Sequence, residues 1–255
     1  MTNMATATTG NENGLPSSQT LKFYDADEGE KMEFRLIYQG RLRSERSECG
    51  SSTGPKGRAE DKQQLRKHFH PQLRELWKQH PDLRSQASAF CYLSNRGQEG
   101  KKLVFVDDRL ASAGNVQRYI DHLASNYQRC NGRFVPLVSE VGGFTCALDI
   151  LFLRRDNPGS LVHDGGDIDN RIKVLLDGLR MPKTTQELGG LTIDPADEDP
   201  FFCLLEDDSL LTRLSVTTDR LLSPQKAAED IHDVLLEIHV TVINPGAIFA
   251  GGRLV

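Results

Sequence analysis

The sequence predicts an α+β (mixed α/β) fold, a small mixed sheet flanked by helices. Two apolar stretches, "FTCALDILFLRR" (144–155) and "HDVLLEIHVTVIN" (232–244), read as a central strand and an alternating strand. Strand-like and helix-like segments alternate irregularly, with hairpin-like strand pairs late in the chain, which argues against a doubly wound parallel sheet. Neither an internal repeat nor a heptad pattern is present.

Taken in order, residues 1–20 are small and polar and read as a disordered tail. Residues 21–255 are expected to form a single domain with an elaborated N-terminal half. "MEFRLIYQG" (32–40) has the content of a strand, and the Arg, Ser and Gly of 41–58 make a loop. Residues 59–80 place Leu65, Phe69, Leu73 and Leu76 at helical spacing, and Pro71 is expected to kink or divide that helix. "KLVFV" (102–106) and "RFVPLVS" (133–139) are strand candidates, and 114–128 reads as a helix with Val116, Tyr119, Ile120 and Leu123 on one face. "FCLLEDDSLLTRLSVTT" (202–218) looks like two strands joined across an acidic turn. Between them and a helix at 168–179 lies a segment near 180–201 that is long for a loop and is expected to be an insertion or a functional flap.

Length and composition (255 residues, 38% hydrophobic, 26% charged) suit a globular protein with a real core. No apolar run approaches the roughly 20 residues that span a bilayer, and the first residues lack the pattern of a secretory signal. Five scattered cysteines without a CxxC argue against a zinc ribbon or a disulfide framework, and point to a cytoplasmic location. The net charge of −5 conceals an asymmetry. Residues 31–130 hold 19 Lys and Arg against 11 Asp and Glu, a net +8, whereas 131–255 hold 11 against 20, a net −9. A basic half and an acidic half suit a chain that holds a polyanion with one part and metal cations with the other.

The acidic half contains "GGDIDNRIKVLLDGLRMP" (165–182). On a helical wheel Ile172, Leu175, Leu176 and Leu179 fall within about 100° and form a core stripe, while Asn170, Lys173 and Asp177 lie roughly opposite. Asp169 sits where an N-cap belongs, with Asp167 two residues before it. Capping accounts for one acid and not for two. On an extended segment, i and i+2 carboxylates point to the same side, so both reach one cation. Mg²⁺ takes one or two carboxylates together with water and phosphate oxygens. A third acid is available in "LLEDDSLL" (204–211), where Asp207 and Asp208 interrupt two apolar runs. An acidic β-turn is the plainer account of that pair.

These residues resemble the RusA family of Holliday junction resolvases, whose pattern D-x-D-N-x-x-K-x-x-x-D-x-L is met at Asp167, Asp169, Asn170, Lys173, Asp177 and Leu179. Its following D-D pair is met at Asp207 and Asp208. The resemblance implies a small mixed α/β fold, a homodimer and metal-dependent nicking of branched DNA. It implies Asp167, Asp169 and Asp208 as metal-binding catalytic carboxylates, Lys173 as the catalytic lysine, and Mg²⁺, with Mn²⁺ able to substitute. Asn170, Asp177 and Asp207 would support them, Asp177 by orienting Lys173. The resemblance covers 144–243, and the chain is about twice the length of the compact members, with a longer insert before the D-D pair.

The chemistry fits independently. Phosphodiester hydrolysis needs an activated water and neutralisation of transition-state charge, which carboxylate-bound metal and a lysine supply. As a surface pair with Asp169 or Asp177, Lys173 would contribute only about 0.3–0.5 kcal/mol. DNA contacts are expected from Arg41, Arg43, Arg46, Lys56 and Arg58 in the basic loop and from Lys62 at the following helix, although a solvated loop has the same composition. His68 and His70 diverge on a helix and read as surface or core-edge residues; Asp149 is either a satisfied polar group or an extra ligand. A non-catalytic DNA-binding module and a DxD-type transferase are the competing readings, the latter lacking a Gly-rich nucleotide loop. An EF-hand is rejected, because counting from Asp167 puts Ile172 at the glycine position and Gly178 at the closing glutamate.

Overall fold

The computed structural model describes residues 31–43, 55–94, 102–106, 109, 116–155, 167–222 and 233–243, with backbone only at 55–57, 93–94, 102–103 and 167. The expected N-terminal tail, Arg46 and the Lys56 side chain lie outside the described residues. Among them the fold is α+β, with four α-helices and three small sheets.

The largest sheet has the order β1-β10-β7-β9 (Lys31–Arg41, Asp233–Ile243, Thr145–Arg154, Leu211–Arg220). β10 is antiparallel to both β1 and β7, and β9 runs parallel to β7. The long apolar stretch is therefore an interior strand, as its composition predicts. Its alternation buries Leu148, Ile150 and Phe152 on the core side, together with Leu36, Leu236 and Ile238 from the neighbouring strands. A second sheet joins β5 (Gln128–Arg129), β6 (Gly132–Val138) and β8 (Phe201–Leu205), with β8 parallel to β6. β2 (Phe90–Ser94), β3 (Lys102–Val106) and β4 (Gln117–Arg118) form a small antiparallel sheet.

The helix α1 (Pro55–Gln79) runs through Pro71 without being divided. Pro71 is exposed, so the Lys67 carbonyl that it leaves without an N–H donor is not sealed in the core. The break falls instead after His80, where Pro81 starts α2 (Pro81–Ser88). Leu65, Phe69, Leu73 and Trp77 of α1 are all buried, Trp77 taking the last place in the stripe, where Leu76 was expected and is only partly buried. The helix α3 is shorter than expected, Tyr119–Asn126, because Gln117 and Arg118 pair with β2.

Two further expectations are corrected. Strands β8 and β9 are not a hairpin: each joins a different sheet, and the acidic residues lie where the chain crosses between them. The helix α4 (Asp167–Leu179) starts at Asp167, one residue earlier than expected. Its polypeptide continues as a bridge from Arg180 to Leu205 of β8.

Close approach between helices α1 and α4 depends on Gly178, where a Cβ would lie 2.6 Å from the Leu65 Cβ. At Gly189, φ is +63° and a Cβ would lie 2.3 Å from the backbone nitrogen of Glu60. Gly178→Ala should therefore destabilise the protein: overpacking costs about 1–3 kcal/mol, more than the gain of up to about 1 kcal/mol from helix propensity. Urea denaturation measures the difference, and a stabilised variant would contradict this packing.

Candidate active site

The residues of "DIDNRIKVLLDGL" do not divide into one buried and one solvated face. Leu175 and Leu179 point into the core and Val174 is equally buried, but Ile168 and Leu176 are only half-buried. Across from them stand Leu214 and Val216 of β9. Between α4 and β9 lies an open cavity of about 390 Å³, lined by Ile168, Asp169, Ile172, Lys173, Leu176, Asp177, Asp208, Leu214 and Val216. Three of the residues singled out from the sequence as catalytic, Asp169, Lys173 and Asp208, thus border one concave surface. Asp169 and Lys173 are both exposed, one helical turn apart.

The helix start alters one premise. With Asp167 as the first helical residue, it and Asp169 stand two apart on a helix, where successive side chains turn by about 100° each, instead of on an extended segment. The i, i+2 geometry does not by itself bring them to one side, and the side chain of Asp167 lies outside the described residues. Asp169 is inside the first turn instead of at the N-cap, a place where helix N–H groups and the macrodipole favour a carboxylate.

Asp207 and Asp208 have different surroundings. Asp207 caps a short 3₁₀ turn by accepting from the Ser209 N–H (3.1 Å), and its other oxygen is 2.6 Å from the Lys183 ammonium. The hydrogen bond from Lys183 holds the Asp207 carboxyl well below the ordinary range and raises the pKa of Lys183. Asp208 is on the cavity wall, half exposed, with Lys183 at 3.7 Å. Glu206, next in line, accepts from Tyr127 (2.8 Å) and from the Glu140 N–H (2.9 Å), so it braces the crossing and does not face the cavity. Lys183 was not anticipated: in sequence it stands 24 positions before Asp207, and only the bridge from α4 to β8 brings it close.

Asp177 is buried, and both of its oxygens are taken. Lys62 of α1 binds one (2.7 Å) and Arg180 binds the other through two nitrogens (2.6 and 3.0 Å). Asp177 is thus fixed by Lys62 and Arg180, partners that the sequence did not indicate, and Lys62 stands on α1 within that ion pair. Burial alone would raise the Asp177 pKa, but the Lys62 hydrogen bond and the Arg180 charge outweigh it and hold the carboxyl below its ordinary value. Beneath it lies Arg66, with no exposed side-chain surface. Its guanidinium donates to the carbonyls of Asp177 (2.7 Å), Arg180 (3.0 Å) and Glu187 (3.1 Å), and to the Glu187 carboxylate (3.1 Å). Carbonyls that the end of a helix leaves without partners are satisfied by a charged side chain.

The segment expected to be a flap is fastened to α1 in the same way. Lys67 donates to Glu198 and to the Thr192 carbonyl (both 3.0 Å), and Arg74 to the Asp197 carbonyl (2.9 Å). His70 accepts from the Phe202 N–H at Nδ1 (2.9 Å) and meets the Asp197 carbonyl at Nε2 (3.2 Å), which assigns the proton to Nε2. Both nitrogens are used and burial lowers its pKa, so His70 is a neutral structural residue. His68 points the other way, to the Ile37 carbonyl on β1 (3.0 Å). Asp149 resolves as an ion pair with Arg213 (3.0 Å) on the outer face of the large sheet.

Of the basic residues, Arg41 is exposed at the end of β1, Arg43 is half-buried 3.8 Å from Asp61, and Arg58 is half-buried in the first turns of α1. Arg171 of α4 donates to the Leu42 carbonyl, which docks this end of β1 onto the helix. The start of α1 is tied to α4 by the Lys62–Asp177 pair. Asn170 is half-buried beside the row.

Among the described residues, no group of three or more His, Cys, Asp or Glu side chains is gathered closely enough to hold a metal ion. Two carboxylates on one open cavity, Asp169 and Asp208, match the hard-oxygen donor set of Mg²⁺, which completes its octahedron with water and phosphate oxygens. Comparison with family models, with curated proteins and with solved structures gave no match.

Arg66→Met should destabilise the protein by about 3–5 kcal/mol, since it strips a buried charge partner from Glu187. By contrast Arg35→Ala, in an exposed pair with Glu237, should cost no more than about 1 kcal/mol. The depressed pKa of Asp177 gives a pH dependence of definite sign. Its contribution is present above the unfolded value of 3.8 and is lost as pH falls through the lower folded value. Asp177→Asn should therefore be less stable at neutral pH and show a shallower loss of stability on acidification. Thermal unfolding from pH 7 down to pH 3 measures both.

Proposed function

We propose that the protein is a Mg²⁺-dependent endodeoxyribonuclease that hydrolyses phosphodiesters in branched DNA, in the manner of a Holliday junction resolvase, and that it serves DNA recombination or repair. The observation that carries the reading is the meeting of Asp169, Lys173 and Asp208 on one open cavity, drawn from two segments 35 residues apart in the chain. That grouping repeats in space the pattern by which the sequence resembles the RusA family.

Asp169 and Asp208 would hold the metal, with Asp167 as a third carboxylate. The bound ion would neutralise phosphate charge and lower the pKa of an attacking water. Lys173, exposed one turn beyond Asp169, places a compact cation where negative charge grows on the phosphate oxygens. Lys183 holds Asp207 and leaves Asp208 facing the cavity. The pairs Lys62–Asp177 and Arg180–Asp177 keep the row on α4 from rotating, so the acids meet the substrate already oriented. Arg41 and Arg58, at the end of β1 and the start of α1, would supply positive charge for the DNA backbone. Opposed nicks across a junction require two such sites, which a homodimer provides.

A labelled four-way junction incubated with Mg²⁺ should be nicked at paired positions, and EDTA should abolish the cuts. Asp169→Asn should reduce the rate by roughly two to three orders of magnitude while leaving junction binding intact, as expected when an electrostatic stabiliser is removed. Binding without cleavage by the wild type would replace the nuclease with a non-catalytic DNA-binding module. Cleavage of linear duplex in preference to the junction would remove the branched substrate.

A further inference from the structure

Hydrolysis at Asp169, Lys173 and Asp208 does not use the rest of the cavity. Its floor is aliphatic: Ile168, Ile172 and Leu176 from successive turns of α4, and Leu214 and Val216 from β9. Leu214 is 40% exposed, and Ile168, Leu176 and Val216 are half-buried. Apolar side chains on a helix and a strand that face each other normally close together, because burial of both is favourable. Here they stand apart around a space within the range of small-molecule pockets. One wall of the space, β9, is an outer strand of its sheet among the described residues.

The acids and the lysine stand on the rim of this floor, so the position of a bound phosphate is tied to it. In DNA the sugar and base follow the phosphate by a few covalent bonds. A phosphodiester held at the rim therefore places one neighbouring nucleoside over Ile168, Ile172, Leu176, Leu214 and Val216. A base stacked within a duplex presents only its edges and cannot lay its flat face on that floor. An unstacked base can, and apolar side chains are the usual partners of such a face. Among the described residues that line it, none is an amide or hydroxyl side chain that could read base edges.

We propose that the cavity between α4 and β9 receives one unstacked nucleobase next to the scissile phosphate, held by its flat face and not by its identity. The inference rests on the hydrolytic reading above. It also gives that reading a physical source of selectivity. Unstacking is least costly at branch points and mismatches, so a distorted site reaches the bound geometry more readily than an intact duplex does.

The test uses the full chain and a junction carrying 2-aminopurine at single positions around the cut, with Ca²⁺ in place of Mg²⁺ to allow binding without cleavage. Fluorescence at one position beside the scissile phosphate should rise severalfold on binding, and the rise should be lost in a Leu214→Ser, Val216→Ser double variant. With Mg²⁺ that variant should cut the junction about tenfold more slowly than the wild type, and a mismatch placed at the reporting position should recover most of the loss. Ser215→Ala, on the opposite face of the same strand, should behave as the wild type, and an unchanged melting temperature of the double variant guards against an effect of altered folding. A wild type that cuts the junction without any fluorescence change, or a double variant that cuts normally, overturns the nucleobase pocket and leaves the nuclease standing. A wild type that cuts no DNA overturns the hydrolytic reading and this inference with it.

Discussion

Buried beneath α4, the guanidinium of Arg66 donates to the carbonyls of Asp177, Arg180 and Glu187 and to the Glu187 carboxylate. A helix ends with carbonyls that have no partners of their own, and in the core each must find a donor. Burial pushes the Arg66 pKa down, and the neighbouring Glu187 and Asp177 charges act against that shift. Beside Arg66, α1 and α4 are in close contact, Gly178 lying directly on Leu65. The polar row of α4 is therefore fixed from its far end. Asp177 is clamped, Lys173 follows one turn earlier, and Asp169 one turn before that.

The same network sets where the second half of the site arrives. After Arg180 the chain forms a bridge to Leu205, and Met181 donates to its carbonyl (2.9 Å), so β8 is aligned from the end of α4. The segment 183–200 is braced on α1 through Lys67, His70 and Arg74. From β8 the chain crosses to another sheet, and the crossing holds Asp207 and Asp208. Asp207 is absorbed by its 3₁₀ turn and by Lys183, while Asp208 faces the cavity. Two adjacent acids thus have different surroundings set by local geometry.

Much of the fold was legible because periodicity reports burial. The strands at 32–40 and 232–244, the interior strand at 144–155 and the amphipathic helices follow from it. What failed depended on contacts between distant segments. Pro71 was tolerated because it faces outward, and the two strands around the acidic residues took different partners, which no local pattern reports. For the site, the motif gave the acids and Lys173, yet the partners of Asp177 could not be read from it. Lys62 and Arg180 look like surface cations in sequence, and only the packing of α1 against α4 makes them a buried clamp. The aliphatic floor was hidden for a similar reason. Leu176 counts as core in a helical wheel, and it takes the position of β9 to leave it partly open.

The central claim is that α4 and the β8–β9 crossing together make a divalent cation site on one cavity. A crystal of the full chain soaked in Mn²⁺, with anomalous diffraction recorded, tests it without reference to any substrate. The account predicts a peak between the carboxylates of Asp169 and Asp208, lost in crystals of Asp208→Asn. A peak bound elsewhere, or binding at Asp169 unchanged by loss of Asp208, would contradict it.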